Sequence, residues 1–179
     1  MSRIGLYDTS GELLLVRDAD GFDATREGPE LTAVEVPDAW PREMRWDPAT
    51  LSFVADLGWL RSQRWSLIRA ARDAARAGGC DSAIGRVDTG GDSLILANGA
   101  SSAAMAASAA NQPFSIGWTR ADNTTVELDG SAMIALGLAI VAHVGACHAE
   151  GVARRAALDA AVDEAAIAAV PVEGGWPGE

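Results

Sequence analysis

His143, Cys147 and His148 form the densest set of side chains in this sequence that could do chemistry. His143 and Cys147 stand four residues apart, so on a helix they share a face. With Cys80 brought in from elsewhere, the four could be drawn as a Cys/His zinc site. The spacing argues against it. His148 would sit about 100° around the helix from Cys147. Structural zinc sites also carry paired Cys-x-x-Cys elements, and none occurs here. The plainer reading is a packed helix face that includes a thiol and a hydrogen-bonded imidazole. No metal and no cofactor is expected.

Nucleophilic catalysis needs a Ser, Cys or Thr beside a base that a third group orients. Ser and Asp are plentiful, but no Gly-x-Ser-x-Gly turn frames one, and both His lie on one Ala-rich segment. Paired carboxylates such as Asp122 with Glu127, or Asp159 with Asp163, read as turn and solvated-helix residues. Thr89-Gly-Gly-Asp92 and Glu173-Gly-Gly lack the Lys-Ser/Thr of a phosphate loop. The expectation is therefore not an enzyme, with no catalytic residue to name.

Charge narrows the partners. The net charge is −11, and Lys is absent, so every strong cation is Arg. Binding to nucleic acid relies on neutralising phosphates with cations, so none is expected. Arg61, Arg64, Arg69, Arg72 and Arg76 cluster on one predicted helix. They could meet an acidic partner, but a solvated face paired with Asp56, Asp73 and Asp81 is the favoured reading. The two cysteines, with no apolar secretion signal near Met1, read as buried and reduced. The apolar run Ala132 to Cys147 falls short of the roughly 20 residues that span a bilayer, so no membrane span is expected.

These residues need a scaffold. Up to Asp56 the pattern is β-rich: Arg3 to Tyr7, Glu12 to Arg17 and Leu31 to Val36, with a hairpin of Met44 to Trp46 and Leu51 to Val54 around Asp47-Pro-Ala-Thr50. Leu57 to Ala77 reads as a helix capped by Asp56 and stopped by Gly78-Gly79. Ala83 to Asp88 and Ser93 to Ala97 read as a short hairpin, followed by an Ala-rich helix from Asn98 to near Asn111. Phe114 to Thr119 and Thr124 to Leu128 alternate as a further hairpin, turning at Asp122-Asn123. Asp129 is an N-cap for a last helix from Ser131 to about Ala169, with a break at Gly145 or Gly151. Residues 170–179, rich in Gly and Pro, read as a flexible or docking tail. The fold class is thus α+β: a β-rich module over 1–56, an α+β domain over 57–169, and the tail.

Core anchors are sought among the six Trp with Leu67, Ile68, Phe114, Ile116, Met133, Ile134 and Leu138. Trp65 and Trp118 sit inside periodic elements and read as structural anchors, with Asn123 and Asp129. Trp40 and Trp176 lie in Pro/Gly-rich segments that build no core, so they read as docking anchors. Ala135, Gly137 and Ala139 place small side chains along the last helix and are candidates for close packing or a subunit interface.

From about Trp59 to Ala165 the chain resembles a domain of unknown function found in bacteriophage tail proteins. The resemblance lies in Trp65 followed by Arg69 and Arg72-Asp73, then Gly78-Gly79, then Gly85 to Asp88 with Ser93. Trp118, Asp122-Asn123, and Val126 and Leu128 leading into a helix complete it. Met44-Arg-Trp-Asp-Pro-Ala-Thr also looks like short β modules of such proteins. The resemblance implies a virion structural protein of the tail tip, baseplate or fibre region, made in the host cytoplasm. It would join other tail proteins in the host-adsorption apparatus and act as a homo-oligomer, with a trimer favoured. It transfers no catalytic or ligand residue. A tail-fibre assembly chaperone outside the virion is the alternative.

Overall fold

A computed structural model describes residues 3–23, 26, 28–36 and 44–179, and its architecture is α+β. The chain divides into two compact units. One comprises residues 1–63 with 161–168, the other residues 64–160 with 169–179. This differs from the sequence expectation of 1–56, 57–169 and 170–179: the division falls inside a helix, and the tail belongs to the second unit.

In the first unit, strands β1 (Arg3–Tyr7), β2 (Leu13–Asp18) and β3 (Thr32–Val36) form an antiparallel sheet with β1 in the centre. The turn after β1 is built by Asp8, whose carboxylate accepts the Ser10 and Glu12 amides at 2.8 and 2.9 Å. Gly11 follows at φ +84°, and a Cβ there would overlap the Trp46 carbonyl oxygen, so only glycine fits. Strands β4 (Met44–Asp47) and β5 (Ser52–Ala55) form the expected hairpin. Its four-residue turn is shifted by one residue, to 48–51, because Asp47 joins the first strand and Leu51 leaves the second for φ +51°. Tyr7, Trp46 and Phe53 close the small core, with Trp46 and Phe53 edge to face at 5.2 Å. Burial pushes the Tyr7 phenol up to about 12.

Helix α1 (Leu57–Ala77) has the predicted bounds. Asp56 accepts the Trp59 amide at 2.9 Å, a side-chain N-cap. In the second unit, β6 (Cys80–Ser82) and β7 (Gly85–Val87) form a hairpin earlier than expected. Ser93 to Ala97 is not a strand. Gly90 is extended and caps α2 (Gly91–Ala109), which takes up the Leu-Ile-Leu run. Tertiary packing decides the ambiguity, because Ala97, Ala100, Ser101 and Ala104 bury one face at helical spacing. Strands β8 (Ser115–Thr119) and β9 (Thr125–Asp129) pair with Trp118 opposite Val126. Asn123 turns the hairpin at φ +62°. Asp129 then accepts the Ala132 amide at 2.8 Å and starts α3 (Gly130–Ala160).

Helix α3 runs unbroken through Gly145 and Gly151. The break comes after Ala160, and Asp163 caps a short helix α4 (Glu164–Ala169). Its 31 residues exceed the apolar run, and its most apolar 18-residue window has mean hydropathy 1.8. By length and composition α3 is therefore long enough to cross a membrane, contrary to the expectation from the run alone. One of its faces packs in the main core, where Met133, Leu136 and Ile140 meet Trp118, Leu128, Val87, Cys80 and the α2 alanines. Leu67 and Leu138 are not core anchors; they are 55% and 66% exposed.

Trp118 is buried at the centre of this core. Trp118→Ala is expected to cost about 3–5 kcal/mol in urea denaturation. Asn123→Val forces a β-branched residue into the left-handed region and is expected to cost about 1 kcal/mol or more. An unchanged transition in either variant would contradict this account of the hairpin.

Candidate functional site

The structure sorts the sequence candidates into two places: a packed end, where α3 meets the C-terminal segment, and an open face beside α2. At the packed end, Arg154 is only 4% exposed. Its Nε donates to Glu150 at 2.8 Å, one turn back. Its remaining donors reach the carbonyls of Pro171, Val172 and Gly174 at 3.3, 2.9 and 2.7 Å. Its guanidinium lies 3.9 Å from the Trp176 ring centre, and the indole N–H donates to the Val172 carbonyl. Arg64 grips the Val170 carbonyl, and Arg86 donates to those of Gly78 and Gly178.

Residues 169–179 are thus a strap fastened by arginines, not a loose tail. Trp176, read from sequence as a docking anchor, is 4% exposed and held inside its own unit. A lone indole among Gly and Pro can be core when a distant cation and carbonyls receive it. Sequence reasoning missed Arg154. The available signal was its register, on the same helical row as Met133, Leu136, Ile140 and Leu158. Nor is the α1 arginine face simply solvated. Arg61 donates to the Ala161 carbonyl within the first unit, Arg64 to Val170 within the second, and Arg72 pairs with Asp73. Trp65 is half-buried, with the Arg155 guanidinium 5.2 Å from its ring.

The strap ends on the His/Cys pair. His143 Nε2 lies 3.2 Å from the Ala75 carbonyl and 3.8 Å from Cys147 Sγ. A carbonyl only accepts, so Nε2 must carry the proton and cannot take one from the thiol. The thiol itself faces the Pro177 carbonyl at 4.0 Å. Burial pushes the Cys147 thiol up, away from the reactive thiolate. His148 is exposed on another face. Among the described residues, no group of three or more His, Cys, Asp or Glu is placed to hold a metal. Cys80 is buried in the main core, where burial also raises its thiol.

The open face is different in kind. Between α2 and α3 runs an apolar groove of about 350 Å³, lined by Asn98, Ser101, Met105, Gly137, Leu138 and Val141 among others. Ser101 donates to the Met133 carbonyl at 3.2 Å, and a Cβ on Gly137 would overlap its hydroxyl oxygen. Gly137 therefore serves the α2–α3 approach inside the chain. It does not share a stripe with Ala135 and Ala139, which lie one turn apart on a different side. Ala135 is exposed and Ala139 half-exposed. Trp40 lies outside the described residues.

What the molecule offers is an exposed, uncharged helical surface between α2 and α3 and, apart from it, a strap fastened by arginines. Residues 60–171, well over half of the chain, match the family described as domain of unknown function DUF4376, and the chain belongs to that family. No curated protein and no solved structure matches it.

Arg154→Met removes the Glu150 pair and the guanidinium donors of the Pro171, Val172 and Gly174 carbonyls, of which Val172 keeps the Trp176 indole N–H. It is expected to cost about 3 kcal/mol. Protease cleavage after Glu173, followed by mass spectrometry, should become much faster; unchanged cleavage would mean that Arg154 does not hold the strap. The raised thiols set a sign. Their unfolded counterparts deprotonate first, so stability is whole below about pH 8.5 and declines as pH rises past it. A urea midpoint that does not fall between pH 7 and pH 10 would refute thiol burial.

Proposed function

We propose that this protein is a structural component of the bacteriophage virion, in the tail tip, baseplate or fibre region, where it joins other tail proteins. The observation that carries the reading is the ordered resemblance from Trp65 through Asp122-Asn123 to Leu128, which falls within the matched family segment. Two features of the molecule support it. Its most distinctive surface is an exposed apolar face on two helices, the kind of surface that makes protein joints. Its one Cys/His pair is a buried thiol beside an imidazole whose near nitrogen already serves a carbonyl. The protein works as a homo-oligomer in this reading, with three copies favoured, and Trp40 is a contact to neighbouring tail proteins.

Mass spectrometry of purified particles is the direct test. The protein should be present at fixed stoichiometry, and Trp40→Ala should lower its copy number while its thermal transition stays unchanged. Normal incorporation of that variant would reject the Trp40 contact. Absence of the wild type from particles would reject the virion role and favour an assembly chaperone.

A further inference from the structure

Arg72 of α1 lies across α3 at a glycine. Gly151 is buried, and a Cβ there would stand 2.9 Å from Arg72 Cδ. Glycine weakens a helix interior relative to alanine, and here its missing side chain gives the arginine stem a path. Asp73 fixes the other end, where one carboxylate oxygen accepts Nε at 3.1 Å and Nη2 at 2.9 Å. Nη1 is left without an acceptor among the described residues. Arg72 borders a cavity of about 240 Å³ between α1 and α3, with Arg76 one turn on, Asp73, and Val144, Cys147 and His148 from α3. Arg76 and His148 are exposed, and among the described residues no hydrogen bond or ion pair engages either side chain. Acidic residues outnumber arginines 25 to 14, yet Asp73 alone among them borders this cavity. The end of a helix ordinarily repels an anion through its free carbonyls. Here those carbonyls are engaged: His143 donates to that of Ala75, Thr89 to that of Arg76 and Arg86 to that of Gly78.

We infer that this cavity binds the phosphate group of a small phosphate monoester, held by Arg72, Arg76 and His148. Guanidinium forks match phosphate oxygens in geometry as well as charge. The donors approach from two helices, which suits a tetrahedral oxyanion better than a flat carboxylate. Two guanidiniums against one carboxylate leave the cavity positive in a chain of −11. Burial raises the Cys147 thiol and the Arg76 charge opposes that rise, which places the guanidinium near the cavity wall. A water takes about 30 Å³ of the liquid, so the cavity has more room than one phosphate fills. Val144 gives the remainder an apolar wall. A nucleic-acid backbone fits poorly, because the chain as a whole repels a polyanion.

The inference is independent of the virion reading. The test is isothermal titration calorimetry on the full chain, near neutral pH and at low salt. The titrants are inorganic phosphate, glycerol 3-phosphate and acetate. Both phosphates should bind saturably, glycerol 3-phosphate the more tightly, and acetate should not. Arg76→Gln should weaken phosphate binding roughly tenfold or more, the factor for one hydrogen bond to a charged group, and His148→Gln about threefold or more. Both positions are exposed, so the helical circular dichroism signal should stay unchanged. Arg69→Gln removes the same charge from an exposed part of α1 outside the cavity and should leave binding as it is. No saturable binding of either phosphate would overturn the site. Equal losses in Arg69→Gln and Arg76→Gln would also overturn it, by reducing it to diffuse charge. Acetate binding as tight as phosphate binding would overturn the phosphate assignment. Glycerol 3-phosphate binding more weakly than inorganic phosphate would overturn the monoester. None of these outcomes bears on particle content.

Discussion

A guanidinium taken out of water must find partners for its N–H groups, and Arg154 sets that condition near the C-terminal end of a buried helical row. The α3 carbonyls around it are already engaged in the helix, and Glu150 satisfies only one side of the fork. The remaining donors require carbonyls from elsewhere. Those of Pro171, Val172 and Gly174 meet the need, and in doing so they fix the path of the last residues. Once that path is fixed, Trp176 stacks on the cation and Gly178 comes within reach of Arg86. A Gly/Pro-rich segment with little regular structure of its own is thereby given one conformation. Arg suits this role better than Lys because its planar fork addresses several carbonyls at once.

The same strap explains why the His/Cys pair is quiet. Pro177 and Gly178 lie against Cys147 and His143, and the imidazole proton is directed at Ala75. Desolvation then holds the thiol protonated. Proximity alone, 3.8 Å between Sγ and Nε2, does not make a nucleophile when the nitrogen concerned is a donor. The chemistry suggested by residue types is removed by hydrogen-bond roles.

Away from the strap, the second unit is built by close helix approach. Ala97, Ala100 and Ala104 on α2 and Gly137 on α3 keep the backbones near each other, and Trp118, Met133 and Leu136 fill what remains. Small side chains bury little area each, so the large apolar residues of α3 are not all needed inside. Leu138 and Val141 are left outside, bordered by segments without charge. The interior packing and the open face thus share one cause: α2 and α3 are both rich in Ala and carry no charged residue along most of their length.

Features that depend on a few neighbouring residues were legible in the sequence. Asp56 and Gly78-Gly79 bound α1, Asn123 turns the β8–β9 hairpin and Asp129 caps α3, because caps and turns are satisfied by backbone groups within about four residues. The α+β class followed from those boundaries and from the alternation of Ile116, Trp118, Val126 and Leu128. The site was far less legible. Leu94 to Leu96 fits a strand or a helix equally well, and only burial of Ala97, Ala100 and Ala104 chose the helix. Trp176 looked free because nothing near it in sequence could bury it, and its partners were an arginine 22 residues back and the carbonyl of Val172. Gly137 could be read from sequence as internal packing or a subunit contact, and the internal partner is Ser101, 36 residues earlier, which fills the space above it. By itself the sequence determined where elements start, turn and stop; only the tertiary structure decided which faces are covered, because covering a face takes residues that no local spacing connects.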